Sequence, residues 1–118
     1  MRAPIPVRVE VRGLDGHAVA WLRQFTAREN TRWNRAYREA VRDAETADER
    51  IVELCMSELA GRIDRVEVSG DWPEFPEERE ARLRWLDEAG GPVVDALTLA
   101  LIPQVEEQEL GKSRSGAH

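Results

Sequence analysis

The spacing of apolar residues changes near Thr26, and this change divides the chain into a strand part and a helical part. Before it, apolar and charged residues alternate from position 5 to 12, and the alternation resumes from 17 to 25 after a Gly13–Gly16 turn. Alternation of this kind is typical of strands, and a turn between two such runs predicts a β-hairpin over residues 5–24. A hairpin alone is only marginally stable, so we expect it to pack on the helices that follow.

A capping-box pattern marks the start of the first helix. In Thr26-Ala27-Arg28-Glu29, the threonine hydroxyl is placed to accept the Glu29 amide, and the Glu29 carboxylate is placed to reach back to the cap. The helix that follows is amphipathic, with Trp33 on its apolar side. The opposite side carries five arginines, namely Arg28, Arg32, Arg35, Arg38 and Arg42.

The arginine face has two interpretations. Through Arg28, Arg32 and Arg35 it can bind phosphate or an acidic partner. Alternatively, it is a solvated face or pairs within the chain, because Glu29, Glu39 and Asp43 lie beside it in the sequence.

Three further segments follow the first helix. A second capping box over 46–49 opens a helix that runs through Ile63, and its wide apolar sector predicts the most buried helix. Residues 65–68 predict a short extended stretch. After it, Trp72-Pro73-Glu74-Phe75-Pro76 forms an aromatic loop, because its prolines exclude a regular helix. Trp72 and Phe75 either recognise a partner or cap the core.

The last part of the chain predicts a pair of short helices. Pro76 suits the first position of a helix to Ala89, which the Gly90-Gly91 pair ends. Pro92 opens the final helix. Its apolar residues surround most of the helix, which predicts a partner or self-association surface that includes Val94, Leu97 and Leu101.

Together these elements predict an α+β fold that is mainly helical, with an N-terminal β-hairpin packed on about four helices. The length of 118 residues fits one domain, which we place at residues 1–110, with the helical part at 26–109. The polar residues 111–118 predict a disordered tail.

The inventory of reactive residues predicts a non-enzymatic protein with no cofactor or metal. The histidines are His17, in a predicted strand, and His118, at the end of the chain, so a Cys–His or Ser–His pair lacks a plausible geometry. Cys55 lies in the apolar sector of its helix and is expected to be a small core residue rather than a reactive thiol. Glu58 lies in the same sector, and we expect it to pair with a first-helix arginine rather than to act in catalysis.

Charge and hydropathy bear on location and partners. Residues 1–42 carry nine arginines against four acids (+5), and residues 43–118 carry eight basic against nineteen acidic residues (−11), for a net charge of −6. This balance argues against general nucleic-acid binding.

No apolar run approaches the ~20 residues of a membrane span, and the start lacks the apolar core of a secretory signal. We expect a cytoplasmic protein without membrane contact.

The order of features over residues 17–112 resembles the small tail assembly chaperones of long-tailed bacteriophages. The segments that carry the resemblance are 66–72 (VEVSGDW), Phe75-Pro76 and 85–97 (WLDEAGGPVVDAL). In that family, an extended start precedes helix pairs, an aromatic turn and a final short helix pair. The resemblance implies an assembly factor that self-associates, binds the tape measure protein and helps recruit tail tube subunits in the host cytoplasm, without remaining in the mature virion.

The resemblance also implies a ribosomal frameshift near the end of the short product. Leu110-Gly111-Lys112 lies at that position and contains the sole lysine of the chain, and its codons are compatible with a slippery run. An ordinary polar tail is the alternative. The rival to the chaperone hypothesis is a small regulatory or nucleic-acid-binding module that uses the arginine face. An enzyme subunit is a further alternative if a partner supplies the reactive groups.

Overall fold

The computed structural model describes residues 3–103. Within this range the chain forms three strands and four helices: β1 (Ile5–Val9), β2 (Ala18–Leu22), α1 (Ala27–Ala40), α2 (Ala47–Arg62), β3 (Ile63–Val68), α3 (Arg79–Ala89) and α4 (Gly91–Leu101). These elements confirm the predicted α+β, mainly helical class. The end of the predicted helical part at 104–109, the Leu110-Gly111-Lys112 triplet and the predicted tail lie outside the described residues.

The sheet has three strands rather than the two of the predicted hairpin. β1 and β3 both pair antiparallel with β2, so β2 is the central strand. The helix expected to run through Ile63 is one residue too long, because Ile63 has extended backbone and begins β3 opposite Leu22. Ile63 is 1% exposed, and a β-branched side chain suits such a strand position. The third strand stabilises the hairpin, which needs further pairing or packing.

Helices cover one face of this sheet. α4 packs on β1 and β2, and α2 packs on β3. The buried side chains of β2 are Ala18, Ala20 and Leu22. The apolar alternation in the sequence instead runs through Val19 and Trp21, which lie on the other face, where the Arg65 guanidinium lies 3.7 Å from the centroid of the Trp21 ring. Two alanines on the covered face leave room for α4 to approach the central strand closely.

The first predicted capping box is present, and the second is not. The Thr26 hydroxyl accepts the Glu29 N–H at 3.3 Å, and the Glu29 carboxylate accepts the Thr26 N–H at 2.9 Å. The Thr46 side chain makes no cap hydrogen bond, because its backbone is near-helical (φ −111°, ψ 0°) rather than in the extended region that capping requires. α2 nevertheless begins at Ala47, as expected.

The sequence predicted the α3–α4 junction correctly but placed the start of α3 too early. α3 begins at Arg79 rather than at Pro76, because Pro76 stays in the loop, where its carbonyl accepts the Arg82 Nε–H at 2.9 Å. Gly90 ends α3 with a φ of 99°, which favours glycine. Pro92 occupies the first turn of α4, as predicted.

α4, and not α2, is the most buried, central helix, because five of its eleven residues are buried against three of the sixteen in α2. It packs on α2, α3, β1 and β2. The side chains of Val94, Leu97 and Leu101 are 3%, 0% and 0% exposed. The expectation that they form a partner or self-association surface is therefore wrong, because these three side chains fill the core between the other helices and the sheet.

Candidate functional site

The outer side of α1 carries a line of exposed arginines. Arg28, Arg32 and Arg35 are all exposed, and their spacing of four and then three residues places them along one side of the helix. Trp33 and Ala40, the buried residues of α1, lie on the opposite side, and α1 packs on α2. We call Arg28, Arg32 and Arg35 the arginine stripe.

The arginine stripe makes no ion pair within residues 3–103. The neighbouring carboxylates are engaged elsewhere: Glu29 binds Arg62, and Glu39 lies 3.4 Å from Arg42. Arg38 is also exposed and has no ion pair in this range. Pairing within the described part of the chain is therefore the wrong interpretation for the stripe, which is either solvated or binds a partner.

Arg62 fixes the start of α1 on the end of α2. Its Nη2 lies 2.5 Å from Glu29 Oε2, its Nε lies 2.7 Å from Glu58 Oε1, and its guanidinium lies 4.5 Å from the centroid of the Phe25 ring. The Arg62 side chain is only 16% exposed, so these charge-assisted contacts are partly shielded from solvent. The prediction that Glu58 pairs with a first-helix arginine is wrong, because Arg62 of its own helix is the partner.

The Arg62–Glu29 contact makes stability depend on pH. The Arg62 guanidinium, and after it the Thr26 amide, lower the pKa of the Glu29 carboxyl from its ordinary value of 4.5 to about 2. A carboxyl whose pKa is lower in the folded state stabilises the fold above its unfolded pKa, and this contribution is lost as the pH falls through the folded pKa. Urea titrations at a series of pH values should therefore show the loss between about pH 4.5 and pH 2.

Glu29→Gln is the matched control for this pH dependence, because glutamine keeps the shape of the side chain but cannot ionise. At neutral pH we expect the variant to be less stable by about 1–2 kcal/mol, since hydrogen bonds to a charged group contribute in this range and solvent reaches part of the pair. Its difference from the parent protein should shrink as the pH falls. A constant difference would mean that the Glu29 charge does not stabilise the fold.

The α1–α2 hairpin exposes large apolar side chains that the sequence did not single out. Tyr37, Val41 and Val52 are 41%, 41% and 43% exposed. Helical spacing assigns Tyr37 and Val41 to the apolar side of α1 but cannot show that α1 packs chiefly on one helix. The turn end of the hairpin carries the exposed acidic residues Asp43, Glu45, Asp48 and Glu49. The α1–α2 hairpin is thus cationic along α1 and anionic at its turn.

The aromatic loop packs on α3 and closes one end of the core. Trp72 is 6% exposed, and its ring centroid lies 5.6 Å from that of Trp85. Phe75 meets Trp85 edge to face at 5.1 Å, and Trp85 Nε1 donates to the Pro73 carbonyl at 3.0 Å. Of the two interpretations of this loop, capping of the core therefore holds for Trp72, whereas Phe75 is half-buried.

Reactive groups are sparse in the described part of the chain. Over residues 3–103, no group of three or more His, Cys, Asp or Glu residues is placed to hold a metal ion. Cys55 is buried, and desolvation raises the pKa of its thiol, so it is the small core residue that its sequence context predicts. The expectation that a Ser–His pair lacks a plausible geometry is wrong, because the Ser69 N–H donates to the His17 carbonyl at 2.9 Å and this pairing brings His17 Nδ1 to 3.1 Å from Ser69 Oγ. None of the helices in this range is long and apolar enough to cross a membrane.

Comparisons with known proteins give no assignment. No family model, no curated protein and no solved structure matches the chain. The geometry alone therefore identifies the α1–α2 hairpin as the candidate site, because it exposes cationic and apolar groups that the packing of the domain does not use.

Proposed function

We propose that this protein is a non-enzymatic tail assembly chaperone of a long-tailed bacteriophage, which binds the tape measure protein and helps recruit tail tube subunits. It acts in the host cytoplasm and is not part of the mature virion. The observation that carries the proposal is the α1–α2 hairpin, whose arginines and half-exposed apolar side chains face outward. Arginine and tyrosine are enriched in protein-binding surfaces.

The order of elements also supports the proposal. A strand pair, the α1–α2 pair, an aromatic turn at Trp72 and the α3–α4 pair follow one another as the resemblance implies. The segments that carry the resemblance form β3 with the aromatic turn and the α3–α4 junction. These segments build the body of the domain, which leaves the α1–α2 hairpin to contact the partner.

The proposed activity requires a surface that covers an apolar stripe on a long helical ruler, since an uncovered stripe would aggregate. Tyr37, Val41 and Val52 offer apolar contact on the α1–α2 hairpin. Val94, Leu97 and Leu101 of α4 do not, because they lie in the core. Association of neighbouring chaperone molecules along the ruler would strengthen many weak contacts through effective concentration.

The gene and its neighbourhood provide the first test. We expect the codons of Leu110-Gly111-Lys112 to contain a slippery run, with an overlapping reading frame and a very long coding region downstream. A lysine codon outside any slippery run, with unrelated neighbouring genes, would count against the proposal.

Coexpression provides the functional test. We expect the product of the long downstream frame to aggregate when it is expressed alone. When it is coexpressed with this protein, we expect it to stay soluble and to co-elute with it. Val41→Asp combined with Val52→Asp should reduce the soluble fraction, because it removes exposed apolar contacts without entering the core. Leu99→Asp on α4 is the matched control, since Leu99 is 64% exposed and lies outside the hairpin. Aggregation that coexpression does not relieve would contradict the proposal.

A nucleic-acid-binding module is the second candidate, because an exposed and unpaired arginine stripe also suits phosphate contacts. The net charge of −6 opposes this candidate. Binding of duplex DNA with an affinity that falls steeply with salt would favour it. Failure to bind heparin at physiological salt would exclude it.

A further inference from the structure

The packing of the described residues does not account for the arginine stripe. Its side chains are exposed and make no ion pair within residues 3–103, and they lie on the side of α1 opposite to Trp33. Like charges at three- and four-residue spacing repel one another and destabilise a helix. An arrangement that is unfavourable for the isolated fold indicates a role in binding an anionic group.

The distribution of charge on the hairpin limits the length of an anionic group that can bind along α1. The stripe runs from Arg28 to Arg35 and is about 10 Å long, from the helical rise of 1.5 Å per residue. The amino end of α1 adds partial positive charge from its unpaired amides. Beyond the other end, the exposed Arg38 extends the cationic side by about one turn, and the exposed carboxylates of Asp43, Glu45, Asp48 and Glu49 follow it. A duplex or another long polyanion that followed α1 past the stripe would meet these carboxylates and be repelled.

We propose that the arginine stripe docks a short acidic helix whose carboxylates recur at three- or four-residue intervals over about two turns. Carboxylates with this spacing lie in line on their own helix, so a helix packed alongside α1 brings them opposite Arg28, Arg32 and Arg35. Guanidinium groups bind carboxylates through two parallel hydrogen bonds, a geometry that lysine lacks. This inference deepens the proposed function and rests on it only in assigning the acidic helix to the tape measure protein.

Synthetic helical peptides and the full-length chain test the proposal. The probe is an alanine-rich peptide with glutamates at i, i+4 and i+7, and a control peptide has the same composition with its glutamates spread around the helix. We expect the probe to bind more tightly than the control, and more weakly as salt is added. Replacing Arg28, Arg32 and Arg35 together by Gln should weaken binding of the probe about tenfold, since three exposed pairs are lost.

Arg84→Gln is the matched control variant, because Arg84 is an exposed arginine on α3, away from the stripe. It should leave binding of the probe unchanged. Equal binding of the two peptides, or an unaltered affinity of the triple variant, would overturn the proposal. Tighter binding of a short DNA duplex, or of a peptide of residues 104–118, would assign the stripe to another anion and overturn it as well.

Coexpression separates this inference from the proposed function. If the triple variant still keeps the downstream product soluble and the probe does not bind, the chaperone function holds and the stripe is not its docking site. If the probe binds as expected but the downstream product aggregates even when the parent protein is coexpressed, the docking site holds and the chaperone function fails.

Discussion

Leu97→Asp should unfold the protein. Leu97 is 0% exposed. It lies on the central helix α4, which packs on α2, α3, β1 and β2. The substitution removes buried apolar contacts and places an unpaired carboxylate in an apolar environment, at a combined cost of at least about 4 kcal/mol. This is a large share of the total stability of a small domain. We expect thermal unfolding followed by circular dichroism to show a lost or greatly lowered transition.

Leu99→Asp is the matched control for this substitution. Leu99 lies on the same helix but is 64% exposed, so the introduced carboxylate stays hydrated. We expect the free energy of unfolding to change by no more than about 0.5 kcal/mol. A Leu97→Asp protein that folds normally and loses only self-association would contradict the packing of α4 and restore the surface that its composition first indicated.

Gly16→Ala should destabilise the protein by about 3 kcal/mol, because a conformational cost and a steric clash add together. Gly16 has a φ of 98°, and a Cβ atom there would lie 2.7 Å from the Ser69 carbonyl carbon. This close approach joins the β1–β2 turn to the end of β3, where the Ser69 N–H donates to the His17 carbonyl at 2.9 Å and the Asp71 N–H to the Asp15 carbonyl at 2.8 Å. Urea unfolding of the variant would measure the loss.

Gly13→Ala separates the two causes of that loss. Gly13 also has a positive φ, of 87°, but a Cβ atom there would meet nothing within 4 Å. Only the conformational cost applies, so we expect a loss of about 1–2 kcal/mol. Equal losses for the two variants would show that the approach of Gly16 to Ser69 contributes nothing to stability.

Local signals in the sequence predicted local structure well. The Thr26 capping box forms as predicted, because both partners lie within one turn of the same helix. Gly90 ends α3, and Pro92 occupies the first turn of α4. Each of these features depends on the conformational preferences of a few adjacent residues, so a single sequence is sufficient to predict them.

Predictions that depended on distant neighbours were less successful. The apolar residues around α4 indicated a surface, whereas Val94, Leu97 and Leu101 lie in the core between the other helices and the sheet. Ile63 continued the helical pattern of α2, but pairing with Leu22 draws it into β3. The second capping box fails at Thr46, because the α1–α2 turn sets a backbone conformation that the side chain cannot override.

The candidate site was predicted in part. Helical spacing placed Arg28, Arg32 and Arg35 on one side of α1, which the structure bears out. Spacing does not show which carboxylates compete for these arginines, and only the folded chain shows that Arg62 takes Glu29. The burial of Trp72 against Trp85 likewise required the position of α3.

The sequence by itself determined the fold class, most helix starts and stops, and the line of arginines along α1, because periodicity and capping act over a few residues. Only the tertiary structure decided which apolar faces are buried, which ion pairs form and which charges stay unpaired. These outcomes depend on contacts between residues far apart in the chain, such as Arg62 with Glu29, and such contacts exist only once α4 and the sheet have assembled the core.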